Sequence, residues 1–312
     1  MGITQTTEQY YDYSTAKDIY KLLGTGNDWA PYLRTETGLD KPRILAKGKA
    51  SKDLFQTNVK NPRIANASGT ILIDGRILEV SRVMSHTLIT PEDWRAEFPE
   101  FQPKGTTLDL KMNPTVMSTV MDLLKTTTEE MISDVDYQGD DALSTQLKYY
   151  DGFSKIAKAD ADVVDVANVG VISVDNVLGI ISSVENNIPV RIAKKVNKIK
   201  IFMSRTTFNL AQEADRLTQQ NSTYLRTQDT FKSPKGYELV WLPSVSDNEI
   251  FATIAGTGKD SNLVKGVWFN GEESNFLLWR EHPADEDWMI TLKFSMGVQY
   301  RAGADVVLYV GS

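Results

Sequence analysis

The sequence predicts an α+β fold, on three observations. Apolar residues at helical spacing fill the segment after Asn113, a strand leading directly into a Ser-capped helix lies near residue 200, and from Tyr237 onward nearly every segment has strand character. The elements follow in chain order.

Residues 1–14 are polar and rich in tyrosine. Thr15 and Asp18 stand at approximately capping-box spacing before a short helix ending near Leu23 and Gly24. Residues 27–66 change to Pro, Gly, Lys and Thr with scattered apolar positions, too polar to build a core alone, so the segment reads as an extended arm or protruding loop. Thr70–Ile73 and Arg76–Val80 flank Asp74-Gly75, a dipeptide suited to a two-residue hairpin turn, and the second strand continues through Val83 and Leu88. Thr90 caps a predicted helix over Pro91–Phe98, with Glu92 and Asp93 in its first turn.

The longest helical signal starts with Asn113 as cap and Pro114 as first residue. Val116, Met117, Val120, Met121, Leu124 and Met131 share one side, which predicts an amphipathic helix to about Ser133, weakened in the middle by Thr126–Thr128. After a mixed stretch from Leu143 to Ala159, a helix near Val174–Asn187 carries Val177, Ile180, Ile181 and Val184 and is closed by Pro189. A basic connection leads to the apolar strand Ile199–Met203, and Ser204 opens a helix bearing Phe208, Ala211, Ala214 and Leu217. Strands are then predicted at Tyr237–Trp241, Ile250–Ile254, Leu263–Phe269, Asn275–Arg280 and Val306–Val310. Between Ile290 and Tyr300 apolar residues alternate strictly with Thr291, Lys293, Ser295, Gly297 and Gln299, which predicts a half-buried strand with one wet face.

Composition narrows the function. The 312 residues carry 34 Lys and Arg against 41 Asp and Glu, a formal charge of −7, and 41% hydrophobic residues supply ample core. Without cysteine there is no disulfide framework, thiolate metal site or cysteine nucleophile, and His86 and His282 are a thin supply for proton transfer or transition-metal binding. The polar start shows no secretory pattern, and the most apolar stretch, Val163–Val184, is interrupted by Asp165, Asn168, Asp175 and Asn176, so no membrane span is expected. A net negative charge argues against salt-driven grip on nucleic acid phosphates.

Individual motifs fall short of chemistry. Gly24-Thr25-Gly26 begins a dinucleotide fingerprint, but Trp29 occupies the third glycine position; Gly256-Thr257-Gly258-Lys259 lacks the first glycine and the hydroxyl of a phosphate loop and reads as a turn between strands. Asp134, Asp136, Gln138 and Gly139 mimic a calcium loop until Thr145, where a glutamate is required. Asp160, Asp162 and Asp165, like Glu281, Asp285, Glu286 and Asp287 around His282, read as solvated acidic faces before cation sites. Asn66-Ala67-Ser68 and Asn221-Ser222-Thr223 match a glycosylation pattern that has no meaning without secretion, and no Gly-x-Ser-x-Gly elbow is present. Arg191, Lys194, Lys195, Lys198 and Lys200 form one dense basic strip, suited to a polar rim facing acidic groups ahead of nucleic acid. No catalytic, cofactor-binding or metal-binding residue is expected.

The order of these elements resembles the major capsid proteins of tailed bacteriophages, with the Hong Kong 97-type shell fold. The residues that carry the resemblance are the helix from Asn113, Tyr150-Asp151-Gly152-Phe153, the helix closed by Pro189, Ile199–Met203 running into Ser204 and its helix, and the closing strands Ile290–Tyr300 and Val306–Val310. The resemblance implies an N-terminal arm at 1–36, an extended loop with a β-hairpin at 37–84, a peripheral domain with its spine helix at 85–155 and 286–312, and an axial domain at 156–285. It implies a non-enzymatic protein that self-assembles, as hexamers and pentamers, into an icosahedral head around double-stranded DNA held without sequence-specific binding. Partners implied are a scaffolding protein, a portal and decoration proteins, and the place is the virion, assembled in the host cytoplasm. No long charged helical segment precedes the arm, which implies that scaffolding is a separate protein. Lys47, Lys49, Lys52 and Lys60 lie in the loop, but nothing nominates one as a cross-linking residue. The competing readings are another virion component, a tail tube or head completion protein, and an α+β enzyme or binding protein.

Overall fold

The computed structural model describes residues 27–50, 70–90, 114–218, 226–227, 230–233, 235–269, 276–279 and 287–311. The elements, in order, are strands β1 (Arg34–Glu36), β2 (Arg43–Ala50), β3 (Ile71–Leu78) and β4 (Ser81–Ile89), helices α1 (Pro114–Gln138) and α2 (Phe153–Ala159), β5 (Val164–Asp165), α3 (Val177–Asn187), α4 (Val190–Ala193), β6 (Ile199–Met203) and α5 (Arg205–Thr218). There follow β7 (Arg226–Thr227), β8 (Thr230–Lys232), β9 (Glu238–Trp241), β10 (Glu249–Ile254), β11 (Leu263–Val267), β12 (Phe276–Trp279), β13 (Trp288–Tyr300) and β14 (Val307–Val310). The helices expected at 15–23 and 91–98 lie outside the described residues. The described residues fall into two compact units, a smaller one within 84–128 and 273–293 and a larger one from 25–83, 129–272 and 294–312.

The larger unit is built on a seven-stranded sheet in the order β5-β14-β10-β6-β9-β8-β7. Strand alternation sends Ile199, Ile201 and Met203 of β6 with Ile250, Ala252 and Ile254 of β10 to one face, where Val177, Ile180, Ile181 and Val184 of α3 and Ala211 and Ala214 of α5 cover them. Phe202 and Phe251, cross-strand partners, point the other way into an aromatic cluster. There Trp29 packs 4.8 Å from Phe202, stacks on Tyr137 at 5.6 Å and donates its indole N–H to Ser244 at 2.7 Å. With both faces covered, β10 is buried at every residue. The predicted Ser204 cap is present, the backbone N–H of Thr207 donating to Ser204 Oγ at 3.1 Å.

Helix α1 runs past Ser133 to Gln138 because its last turns bury Ile132, Val135 and Tyr137 in the larger unit. Its threonines do not break it: the hydroxyls of Thr126 and Thr128 donate to the carbonyls of Asp122 and Leu124, four residues back, at 2.9 and 2.7 Å. Tyr150-Asp151-Gly152-Phe153 turns the chain sharply against the end of α1. The Gly152 N–H donates to the Gly139 carbonyl at 2.8 Å, and a Cβ there would meet the Tyr137 carbonyl oxygen at 2.5 Å.

Two sequence expectations are corrected. Asp74-Gly75 is not a turn: it lies inside β3, opposite Lys47 and Ala46 of β2. Glycine is required there by closeness, since a Cβ would meet Ile44 Cγ2 at 2.5 Å and the Leu45 carbonyl oxygen at 2.9 Å. The wet face of β13 is largely covered, with Thr291, Ser295 and Gly297 buried and Lys293 exposed. In the smaller unit Thr291 lies beneath Trp279, whose indole N–H donates to its hydroxyl at 2.9 Å, and His86, whose Nδ1 is 2.9 Å from the same oxygen. In the larger unit the backbone of Glu79 occupies the space a side chain at Gly297 would need. The residues that look polar on paper are small ones that let other chain segments cross over the strand.

Candidate assembly surface

Strands β2 and β3 form a separate two-stranded antiparallel ribbon within 37–84. Eight consecutive pairs without a bulge fix which residues share a face. One face is apolar throughout: Ile44, Ala46, Gly48 and Ala50 stand opposite Ile77, Gly75, Ile73 and Ile71. It is open, with Ile44 67%, Ile71 73% and Ile73 79% exposed. The other face carries Arg43, Leu45, Lys47 and Lys49 against Leu78, Arg76, Asp74 and Leu72. The alternation of Ile44, Ala46, Gly48 and Ala50 with Leu45, Lys47 and Lys49 was the available signal for β2, diluted by the small residues on its apolar side.

Only the root of the ribbon is anchored. Leu45 and Leu78 enter a small apolar cluster with Leu39 and Val264. Beside them Arg76 forms a clasp: its guanidinium is 2.5 Å from Asp160 Oδ2 and 3.6 Å from Asp162 Oδ2, and it sits 4.7 Å from the centre of the Tyr300 ring. Tyr300 donates its hydroxyl to Asp160 Oδ2 at 2.6 Å. Burial alone would raise the Asp160 carboxyl, but the Tyr300 hydroxyl, the Asp162 N–H and Arg76 together hold it below the usual aspartate range. Burial, then the Asp160 carboxylate, push the Tyr300 phenol far up.

Beneath this surface lie two buried polar groups. Lys265 Nζ meets Asp136 Oδ2 at 2.6 Å, both side chains being almost completely buried, and the Tyr150 hydroxyl donates to Asp136 Oδ1 at 2.6 Å. Glu249 accepts from Tyr137 at 3.0 Å, from Ser154 at 2.9 Å and from Lys158. Burial and Glu249 push the Tyr137 phenol well up, as burial and Asp136 do for Tyr150. Asp136, Lys265 and Glu249 are paired and buried, with Lys158 reaching Glu249 from the surface, which makes them structural supports.

The residues singled out by sequence disperse into similar pairings. Asp136 points at Lys265, so the calcium-loop mimic is the end of a helix. Asp160 belongs to the clasp while Asp165 lies on exposed β5, so the three aspartates do not gather. Gly256–Lys259 is the turn between β10 and β11. Four members of the basic strip pair with three carboxylates of the chain: Arg191 with Asp305 at 2.6 Å, Lys198 with Asp260 at 2.6 Å, Lys195 with Asp260 at 3.9 Å, and Lys200 with Glu238. Among the described residues one group of carboxylates has metal-like spacing, Asp140, Asp141 and Asp151, and the Lys155 ammonium already fills it at 2.6, 2.6 and 2.8 Å. His86 serves Thr291; His282, both glycosylation-like triplets and Gly24-Thr25-Gly26 lie outside the described residues. No described helix is long and apolar enough to cross a membrane.

The chain matches no family model and no curated protein. Solved structures do match along nearly its whole length. The capsid of an empty GTA particle aligns with a TM-score of 0.60 at 9% identity, over 95% of this chain and 100% of that one. The capsid of Myoviridae phage XM1 aligns with a TM-score of 0.60 at 9% identity over 96% of each chain. The chain has the Hong Kong 97-type phage capsid fold. A chain from the procapsid of satellite phage P4, solved with its size determination protein, has the same fold, with a TM-score of 0.54 at 10% identity over 90% of this chain and 94% of that one. Within this fold β6 running into Ser204 and α5 is the strand-to-helix step that the sequence marked.

Proposed function

We propose that this chain is a major capsid protein, a structural and non-catalytic subunit that self-assembles into the icosahedral head shell around phage double-stranded DNA. The observation that carries the reading is the uninterrupted apolar face of the ribbon, held out from the body on a capsid fold. Two strands alone are marginal in water, and burying each exposed isoleucine against another surface stabilises by roughly 1.5–3 kcal/mol. A neighbouring subunit supplies that surface, as obligate interfaces do. In this reading residues 1–36 serve as the arm, 37–84 as the extended loop, 85–155 with 286–312 as the peripheral domain around the spine helix, and 156–285 as the axial domain. Copies associate as hexamers and pentamers, with scaffolding, portal and decoration proteins as partners, assembling in the host cytoplasm into the virion. The net charge of −7 and a basic strip mostly paired with the chain's own carboxylates fit a wall that leaves packaged DNA free to slide.

Electron microscopy of the full chain, expressed alone and together with a scaffolding partner, tests this. Closed shells or capsomers are expected. A strictly monomeric protein in both settings, with the ribbon protected from hydrogen exchange by its own body, overturns it.

A further inference from the structure

Two charge clusters in the larger unit have mirror-image compositions. Glu36 is surrounded by three guanidiniums, with Arg34 at 2.6 Å, Arg43 at 3.4 Å and Arg301 at 3.6 Å. Three cations against one carboxylate leave a surplus of two positive charges. The crowding is felt: burial, and next to it the charge of Arg34, lower the Arg301 guanidinium from its usual value, and Arg301 Nε is buried without a hydrogen-bond partner. Lys155 is surrounded in the opposite sense by Asp140, Asp141 and Asp151, which leaves a surplus of two negative charges. The clusters come from separate segments, residues 34–43 with 301 and residues 140–155. The most exposed member of each is Arg43, with 56%, and Asp141, with 66% of the side chain exposed.

In an isolated subunit each surplus is unfavourable, because like charges are held together with too few opposite ones. Copies that each carry −7 also repel, so close approach requires patches of unlike sign to face each other. A contact that joins one patch of a subunit to a different patch of the next is heterologous, the type that closes into rings. From the matched surpluses we infer that the arginine cluster of Arg34, Arg43 and Arg301 docks on the aspartate cluster of Asp140, Asp141 and Asp151 in a second copy of this chain. The contact rests on the shell reading and names one of its interfaces. It is rim-like and polar, so it orients copies and selects register, while apolar surfaces such as the ribbon supply most of the burial.

Charge swaps at the two exposed members test it with little risk to folding. Arg43→Glu and Asp141→Lys, made singly in the full chain, each set like charges against each other and raise the concentration needed for assembly by roughly tenfold. The chain carrying both swaps restores complementarity and assembles near the wild-type concentration. Sedimentation velocity and electron microscopy read the result, with circular dichroism confirming the fold of each variant. Shells from both single variants at the wild-type concentration overturn the contact, as does a double variant no better than the worse single one. A wild-type chain that stays monomeric alone and with a scaffolding partner overturns the shell reading and this contact with it.

Discussion

The ribbon and β10 belong to the same unit, are both antiparallel-paired and are both rich in isoleucine, yet they meet opposite fates. Ile250 is 0% exposed and Ile254 7%, while Ile71 and Ile73 are 73% and 79% exposed. Neither hydrophobicity nor pairing distinguishes them. The difference is coverage: β10 has helices on one face and the Trp29 aromatic cluster on the other, whereas among the described residues nothing covers the ribbon's apolar face. Apolar sequence states a demand for burial, and in one place this chain meets the demand itself. In the other the apolar face stays open to solvent.

Mutations separate the two regions, and the largest expected effect is in the self-sufficient one. Phe251→Ala opens a cavity between Tyr137, Phe153 and Phe202 and costs about 3–5 kcal/mol, measured as a fall in the denaturant midpoint. An unchanged midpoint would break the comparison at its stronger end. Lys265→Ala strands Asp136 in the interior and costs about 3 kcal/mol, whereas Lys265→Ala with Asp136→Ala recovers much of the loss. Ser204→Ala removes the α5 cap and costs about 1 kcal/mol. The clasp at the ribbon's root has a pH signature. A depressed Asp160 contributes stability that is fully present above its unfolded value near 3.8 and is lost as pH falls through the lower folded value. Hydrogen exchange of β2 and β3 is therefore expected to rise in acid, and Arg76→Gln to raise it already at neutral pH. The smallest effect on the isolated chain sharpens the contrast most: Ile73→Asp changes unfolding by no more than about 0.5 kcal/mol while abolishing shells seen by electron microscopy. A large loss of monomer stability in that variant would mean the ribbon is covered by its own body.

Much of the fold was legible because its signals are local. Ile199–Met203, Ser204 and the following helix could be read from an apolar run, a capping residue and helical spacing, and all three appear where expected. The same holds for the closing strands, where alternation and turn residues mark the limits. Asp74-Gly75 misled because its composition suits a turn, while the choice between turn and strand was made by β2, some 30 residues earlier in the chain. The Thr291, Ser295 and Gly297 face of β13 misled for a related reason, since small polar residues look the same whether water or another segment covers them. Of the surface features, Arg43 and Arg301 lie more than 250 residues apart, and no spacing rule connects them to Glu36.

The sequence by itself determined the α+β class, the order of the elements, the absence of any disulfide staple and a charge of −7, because composition, periodicity and capping act within a few residues. Only the tertiary structure decided which apolar strands are covered, which charges cancel and which are left in surplus. Burial and ion pairing depend on residues brought together from distant positions. In this chain those long-range choices leave an open apolar ribbon face and two charge clusters of unequal composition.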